Sequence, residues 1–170
     1  MLIYLDANIV QYCADDSDFV FGAADRPLTN DVKLRKELKA IRRLVDLEQL
    51  GNWEFAAPAH RLAELRAGRP TALQLETYKV LEDAWDAGKW RDDESSAEET
   101  ISEIEKSLTA LKLRHAADRR HLAEALALGA SWFLTNDDEV IRKPRGRVKT
   151  MRVCRPTVSV EEISIGLFLR

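Results

Sequence analysis

Four acidic side chains stand where apolar stretches of this 170-residue chain stop. Asp6 follows the run Leu2-Ile3-Tyr4-Leu5, and Asp137, with Asp138 beside it, follows Trp132-Phe133-Leu134-Thr135. Glu64 comes seven residues after the apolar stretch 53–57, and Asp118 heads a stripe continued by Leu122, Ala125 and Gly129. Carboxylates in such places are drawn to the inner edge of a fold, where an ionised group is costly unless compensated. Two like charges 4 Å apart repel by about 4 kcal/mol at an effective dielectric near 20. A divalent cation reverses that sign, and Mg²⁺ or Mn²⁺ prefers oxygen donors. Such an ion activates water and stabilises a phosphate transition state, so the pattern points to metal-assisted phosphate chemistry carried by Asp6, Glu64, Asp118 and Asp137. Asp138 reads as a solvated bystander.

Other polar residues fall around these acids. Asn8 and Thr135 are the best placed to orient a ligand carboxylate or a bound water. His60 precedes Glu64 by four residues and His121 precedes Glu124 by three, so each pair shares a helix face. Ordinary hydrogen bonding or partial exposure explains both pairs better than metal ligation. Residues 142–155 hold seven basic residues and no acid. Arg142, Lys143, Arg145 and Arg147 can lay a nucleic-acid backbone against the carboxylates, each phosphate contact adding salt-dependent affinity. A solvated basic loop balancing acidic surface elsewhere is an equal alternative. Of the four tryptophans, Trp53, Trp85 and Trp132 lie in apolar patterns and read as core, leaving Trp90 to stack on a base.

The elements that must position these groups alternate in type. Leu2–Leu5 predicts a buried strand, with a helix over about 8–15. Residues 16–30 read as a turn-rich loop, and Thr29 or Asn30 as the cap of a helix running to Leu50 and stopped by Gly51. Leu34, Leu38, Ile41, Leu44, Val45 and Leu47 mark its apolar face. A second strand over 53–57 leads through Pro58 into a short helix ending near Gly68, and a further helix follows from Arg69-Pro70 to Gly88. The acidic, serine-rich stretch 89–99 predicts a loop, and Ile101, Ile104, Leu108 and Leu111 a helix. A helix over 116–128 ends at Gly129, a third strand covers 132–135, and a fourth is expected at 148–153. Strands alternating with helices predict an α/β sandwich: a central, mostly parallel sheet of about four to five strands, with helices on both faces.

At 45% hydrophobic and 32% charged residues, the composition suits one globular domain spanning 1–170. No apolar run nears the roughly 20 residues of a membrane span, and the N-terminus has no signal-peptide pattern, so a cytoplasmic protein is expected. Cys13 and Cys154 are too few and too far apart for a cysteine-based metal site, and predict reduced thiols. A net charge of −3 argues against holding nucleic acid by bulk electrostatics alone.

Together these residues resemble the PIN-domain family of metal-dependent ribonucleases. Leu5-Asp6-Ala7-Asn8-Ile9-Val10 is similar to that family's opening strand and first acid. Ala57-Pro58-Ala59-His60-Arg61-Leu62-Ala63-Glu64-Leu65 resembles its second motif. The third corresponds to Ala117-Asp118-Arg119-Arg120-His121-Leu122-Ala123-Glu124-Ala125, and the fourth to Phe133-Leu134-Thr135-Asn136-Asp137. The matching stretches, 1–14, 53–66 and 114–141, cover about a third of the chain. The resemblance implies a PIN-like α/β/α sandwich and Mg²⁺- or Mn²⁺-dependent endonucleolytic cleavage of RNA. It also implies a possible role as the toxin of a toxin–antitoxin pair, with an antitoxin protein as partner and a homodimeric state. Residues of about 68–112 are longer than in compact members and read as a helical insertion. Two other readings stand beside this one: a non-catalytic RNA-binding or protein-interaction module, and a phosphatase with Asp6 as nucleophile. The latter chemistry generally needs a second acid two residues on, where this chain has Asn8.

Overall fold

A computed structural model describes residues 1–48, 51, 53–57, 71, 72, 74–76, 79, 94–145 and 148–168. Four short strands form one parallel sheet: β1 (Leu2–Leu5), β2 (Glu54–Ala56), β3 (Trp132–Leu134) and β4 (Arg152–Cys154), in the order β2-β1-β3-β4. Ile3 pairs with Phe55 on one side and Trp132 on the other, and Phe133 pairs with Val153. The α/β class and the parallel sheet agree with the sequence pattern. The fourth strand is shorter than expected and shifted, because 148–150 stay outside the ladder and pairing begins opposite Trp132.

Strand side chains alternate between two cores, as the period of two requires. Ile3, Leu5, Phe55 and Leu134 face a core shared with α1 (Ala7–Asp15), α2 (Ser17–Val20), α3 (Val32–Glu48) and Ile163 of the last helix, α7 (Pro156–Phe168). Tyr4, Ala56 and Phe133 face the other. There they meet α4 (Glu94–Ser107), the 3₁₀ turn Leu108–Leu111, α5 (Ala116–Ala127) and Val140 of α6 (Asp138–Arg142). The Tyr4 and Phe133 rings stack with centroids 5.4 Å apart. Helices thus cover both faces, a three-layer arrangement that buries near-continuous apolar strands. No helix among the described residues is long and apolar enough to cross a membrane.

Local chemistry explains where the sequence pattern needed adjustment. Asp31, rather than Thr29 or Asn30, caps α3: its Oδ1 accepts from the Lys33 and Leu34 N–H groups at 2.7 and 3.2 Å. The expected loop 16–30 contains the single turn α2, and 89–99 is not all loop, since α4 begins at Glu94. Glu98 and Glu99 lie exposed in the N-terminal half of that helix. The N–H of Gly129, at φ 68°, donates to the Leu126 carbonyl and that of Ala130 to the Ala125 carbonyl, a Schellman ending for α5. Cys13 and Cys154 are free and buried, and burial pushes both thiols up to about 12, out of reach of thiolate chemistry at neutral pH.

Candidate active site

The chain runs from β1 outward to β2 and, after returning, from β3 outward to β4, so the direction of strand addition reverses between β1 and β3. Open parallel sheets bind ligands outside the carboxyl ends of the strands at such a switch point. Asp6 follows β1 there and Thr135–Asn136–Asp137 follow β3. The Asp6 N–H donates to the Leu134 carbonyl at 2.9 Å, extending the ladder by one bond and locking the two strand ends together.

Asp6 is the most constrained of the acids. It is 5% exposed and caps α1, and its carboxylate accepts from four donors. Oδ1 takes the Ala7 N–H at 2.8 Å and His121 Nδ1 at 3.0 Å. Oδ2 takes Asn8 Nδ2 at 2.6 Å and the Thr135 hydroxyl at 2.7 Å. A carboxylate offers only acceptors, so the Nδ1 of His121 carries the proton in this contact. Burial pushes the Asp6 carboxyl up, but the His121 hydrogen bond and charge, with the bonds from Thr135 and Ala7, outweigh it and leave it below its ordinary value.

Asn8 and Thr135, singled out by their positions, both meet Asp6. The Thr135 hydroxyl, fully buried, also accepts from Asn8 Nδ2 at 3.0 Å and from the Asp137 N–H at 3.1 Å. Asn8 Oδ1 accepts the Asn136 N–H at 3.1 Å. A short network therefore ties the first helical turn of α1 to the loop after β3. Asp137 caps α6, its Oδ1 accepting from Glu139 and Val140 N–H groups at 2.7 and 3.3 Å. Oδ1 is thereby committed to the helix, and no hydrogen bond to Oδ2 forms among the described residues.

Asp118 lies in the first turn of α5, half-buried. Burial first, then the charges of Asp6 and Asp137, push its carboxyl above the ordinary aspartate value, against the opposing influence of His115 and His121. Its stripe partners Leu122 and Ala125 are fully buried, so the helix does anchor it from beneath. Gly129, at the far end of that stripe, is exposed. Three acids from three separate elements thus share one electrostatic environment at the switch point. Glu64 and His60 lie outside the described residues, as do Trp85, Trp90 and Arg147.

No group of three or more His, Cys, Asp or Glu side chains among the described residues is set to enclose a metal ion. Mg²⁺ needs no such cage, because it keeps several waters and binds through one or two carboxylates. The donor set fits a hard divalent cation: all oxygen, with the charges of Asp6 and Asp137 adding to the burial that raises Asp118. Asp137 Oδ2 and the Asp118 carboxylate are the most accessible donors. Asp6, with both oxygens doubly bonded, joins only by yielding one contact.

His121 and Glu124 hydrogen-bond, as their spacing suggested, but not to each other. His121 is 1% exposed and serves Asp6, a link that helical spacing could not show because it spans 115 positions. Glu124 accepts the Tyr4 hydroxyl at 2.7 Å and Arg120 Nε at 3.0 Å, and Arg120 reaches on to Glu98 of α4. Among the basic residues, Lys143 is committed to Glu139 at 2.6 Å and to the Lys112 carbonyl. Arg142 and Arg145 are exposed and form no ion pair among the described residues. Asp138, exposed, pairs with Arg155 at 2.7 Å. No family model, curated protein or solved structure matches the chain.

Proposed function

We propose that this chain is a PIN-like, Mg²⁺- or Mn²⁺-dependent endoribonuclease that hydrolyses RNA phosphodiester bonds. One observation carries the reading: three elements deliver Asp6, Asp118 and Asp137 to the switch point of a parallel sheet, where burial first, and then the charges of Asp6 and Asp137, raise Asp118. Uncompensated repulsion of this kind is a cost to folding, and such perturbed carboxylates cluster at functional sites. Asp6, Asp118 and Asp137, together with Glu64, would hold the cation, which supplies the positive charge that phosphodiester hydrolysis requires.

The chain's own residues do the rest. Thr135, Asn8 and His121 hold the Asp6 carboxylate in one orientation, limiting the reorganisation needed during reaction. The amides of α6 hold Asp137 Oδ1 and leave Oδ2 for the site. Asp118, whose carboxyl is raised where that of Asp6 is lowered, is the better suited of those two to accept a proton from attacking water. Arg142 and Arg145, at the far end of α6, supply phosphate contacts that position the strand. The toxin role, the antitoxin partner and the homodimer rest on the family resemblance alone.

The test is cleavage of single-stranded RNA by purified protein with Mg²⁺ or Mn²⁺ and with chelator. Cleavage needs metal and collapses in Asp6→Asn, with circular dichroism showing the variant folded. Activity that survives chelation or Asp6→Asn overturns the reading. Equal RNA binding with and without metal, and no cutting, identifies a non-catalytic module instead.

A further inference from the structure

Beside the acids, between α6, β4 and the start of α7, lies a cleft of about 590 Å³. It belongs to the size class of small-molecule sites. Ile141, Val153 and Val158 give it apolar surface, and Arg142, Arg145 and Arg155 give it positive charge. Arg155 is neutralised by Asp138 at 2.7 Å, and the neighbouring Arg152 by Glu162 at 2.6 Å. Arg142 and Arg145 keep their charges unmatched among the described residues. Val158 is 36% exposed, an apolar side chain left at the surface of the cleft.

The position of the cleft restricts what can fill it. The five-residue helix α6 is capped by Asp137, in the acidic group, and ends at Arg142, in the cleft wall. At 1.5 Å rise per residue the two lie roughly 7 Å apart along the helix, a short step along an extended single strand. A ligand joining them must present anionic groups to two arginines and a flat apolar face to the valines and isoleucine. Single-stranded RNA does both: phosphates meet guanidinium groups, and an unstacked base lies on apolar side chains or a guanidinium plane.

We propose that this cleft is a nucleotide subsite, holding one unstacked base of the RNA strand next to the phosphodiester at the acidic centre. Arg142 and Arg145 bind the flanking phosphate, while Ile141, Val153 and Val158 seat the base. The proposal rests on the ribonuclease reading but is tested separately from it.

The experiment measures binding of a labelled single-stranded RNA by fluorescence anisotropy in metal-free buffer, so that affinity is read without cutting. Val158→Asp sets a negative charge in the base seat on an exposed helix position, and Arg145→Ala removes one phosphate contact. The proposal expects Val158→Asp to weaken binding at least tenfold with unchanged thermal melting. Arg145→Ala should weaken it severalfold and reduce the salt slope by about 1. Uridine 5′-monophosphate competes, and ribose 5-phosphate, which lacks the base, competes far less. Equal affinity of wild type and Val158→Asp overturns the subsite, as does equal competition by the two phosphates or displacement of the RNA by an acidic peptide alone. Metal-dependent cleavage that persists beside such a failure leaves the ribonuclease reading standing. RNA that is bound, weakened by Val158→Asp and never cut has the opposite meaning.

Discussion

His121 Nδ1 lies 3.0 Å from Asp6 Oδ1, both residues buried, so the helix that carries Asp118 also holds the Asp6 carboxylate. Burial is the largest single influence on the Asp6 carboxyl, and this contact is the largest of those that oppose it. The contact offsets a desolvation cost that would otherwise push the carboxyl up.

Removing that imidazole should therefore destabilise the fold through Asp6. His121→Ala leaves a buried carboxylate short of one hydrogen-bond donor and is expected to cost about 1–3 kcal/mol. Urea denaturation at neutral pH measures it. The folded-state pKa of Asp6 lies below its unfolded value, so its contribution is fully present above the ordinary aspartate range and is lost as pH falls through the lower folded value. The loss in His121→Ala should accordingly shrink in acid, and a pH-independent cost would show that the contact acts by packing alone.

Asp118 behaves in the opposite sense. Its folded pKa is raised, so ionisation costs stability, and that cost appears as pH rises through the unfolded and then the folded value. Asp118→Asn should melt a few degrees above wild type at pH 7, about 2–4 °C per kcal/mol for a chain of this size, with the difference vanishing in strong acid. Stabilisation with loss of activity is the expected exchange at a functional site. Thermal melts at pH 7 and below pH 3 read both ends.

The buried Tyr4–Glu124–Arg120 network ties the sheet to α5, and through Glu98 to α4. Tyr4→Phe keeps the ring stacked on Phe133 but strips one donor from a buried carboxylate, at a cost of about 1–3 kcal/mol. Glu98→Ala breaks only the exposed end and should change stability by less than about 1 kcal/mol. Comparable losses in the two variants would contradict the network as described.

Gly129 gives a purely conformational test. A Cβ there meets nothing within 4 Å, so Gly129→Ala is penalised only by its φ of 68°. The expected cost is about 1–2 kcal/mol, without change in metal-dependent activity. Equilibrium unfolding with a parallel activity assay separates the two effects.

Several features were legible in the sequence because they are local. The apolar runs ending in Asp6 and Asp137 marked strand ends, and the 3.6-residue period of Leu38, Ile41 and Leu44 marked the buried face of α3. Asn8 and Thr135 were readable as partners of a carboxylate from their places two residues after Asp6 and two before Asp137. The start of α4 was not, since an acidic, serine-rich segment resembles a loop and only packing against α5 selects the helix. The choice of Asp31 over Thr29 or Asn30 as cap is not local, because several good caps stand in a row and only the path of the chain selects among them.

The sequence by itself determined the α/β alternation and the placing of acids at strand ends, because both follow from side-chain periodicity and the cost of burying charge. Tertiary structure alone decided the strand order β2-β1-β3-β4, which brings Thr135 to within 2.7 Å of Asp6 across 129 positions and His121 to its other oxygen. The physical reason is that hydrogen-bond partners this remote leave no periodic trace: each donor is chosen by the register of a folded sheet, not by its neighbours in the chain.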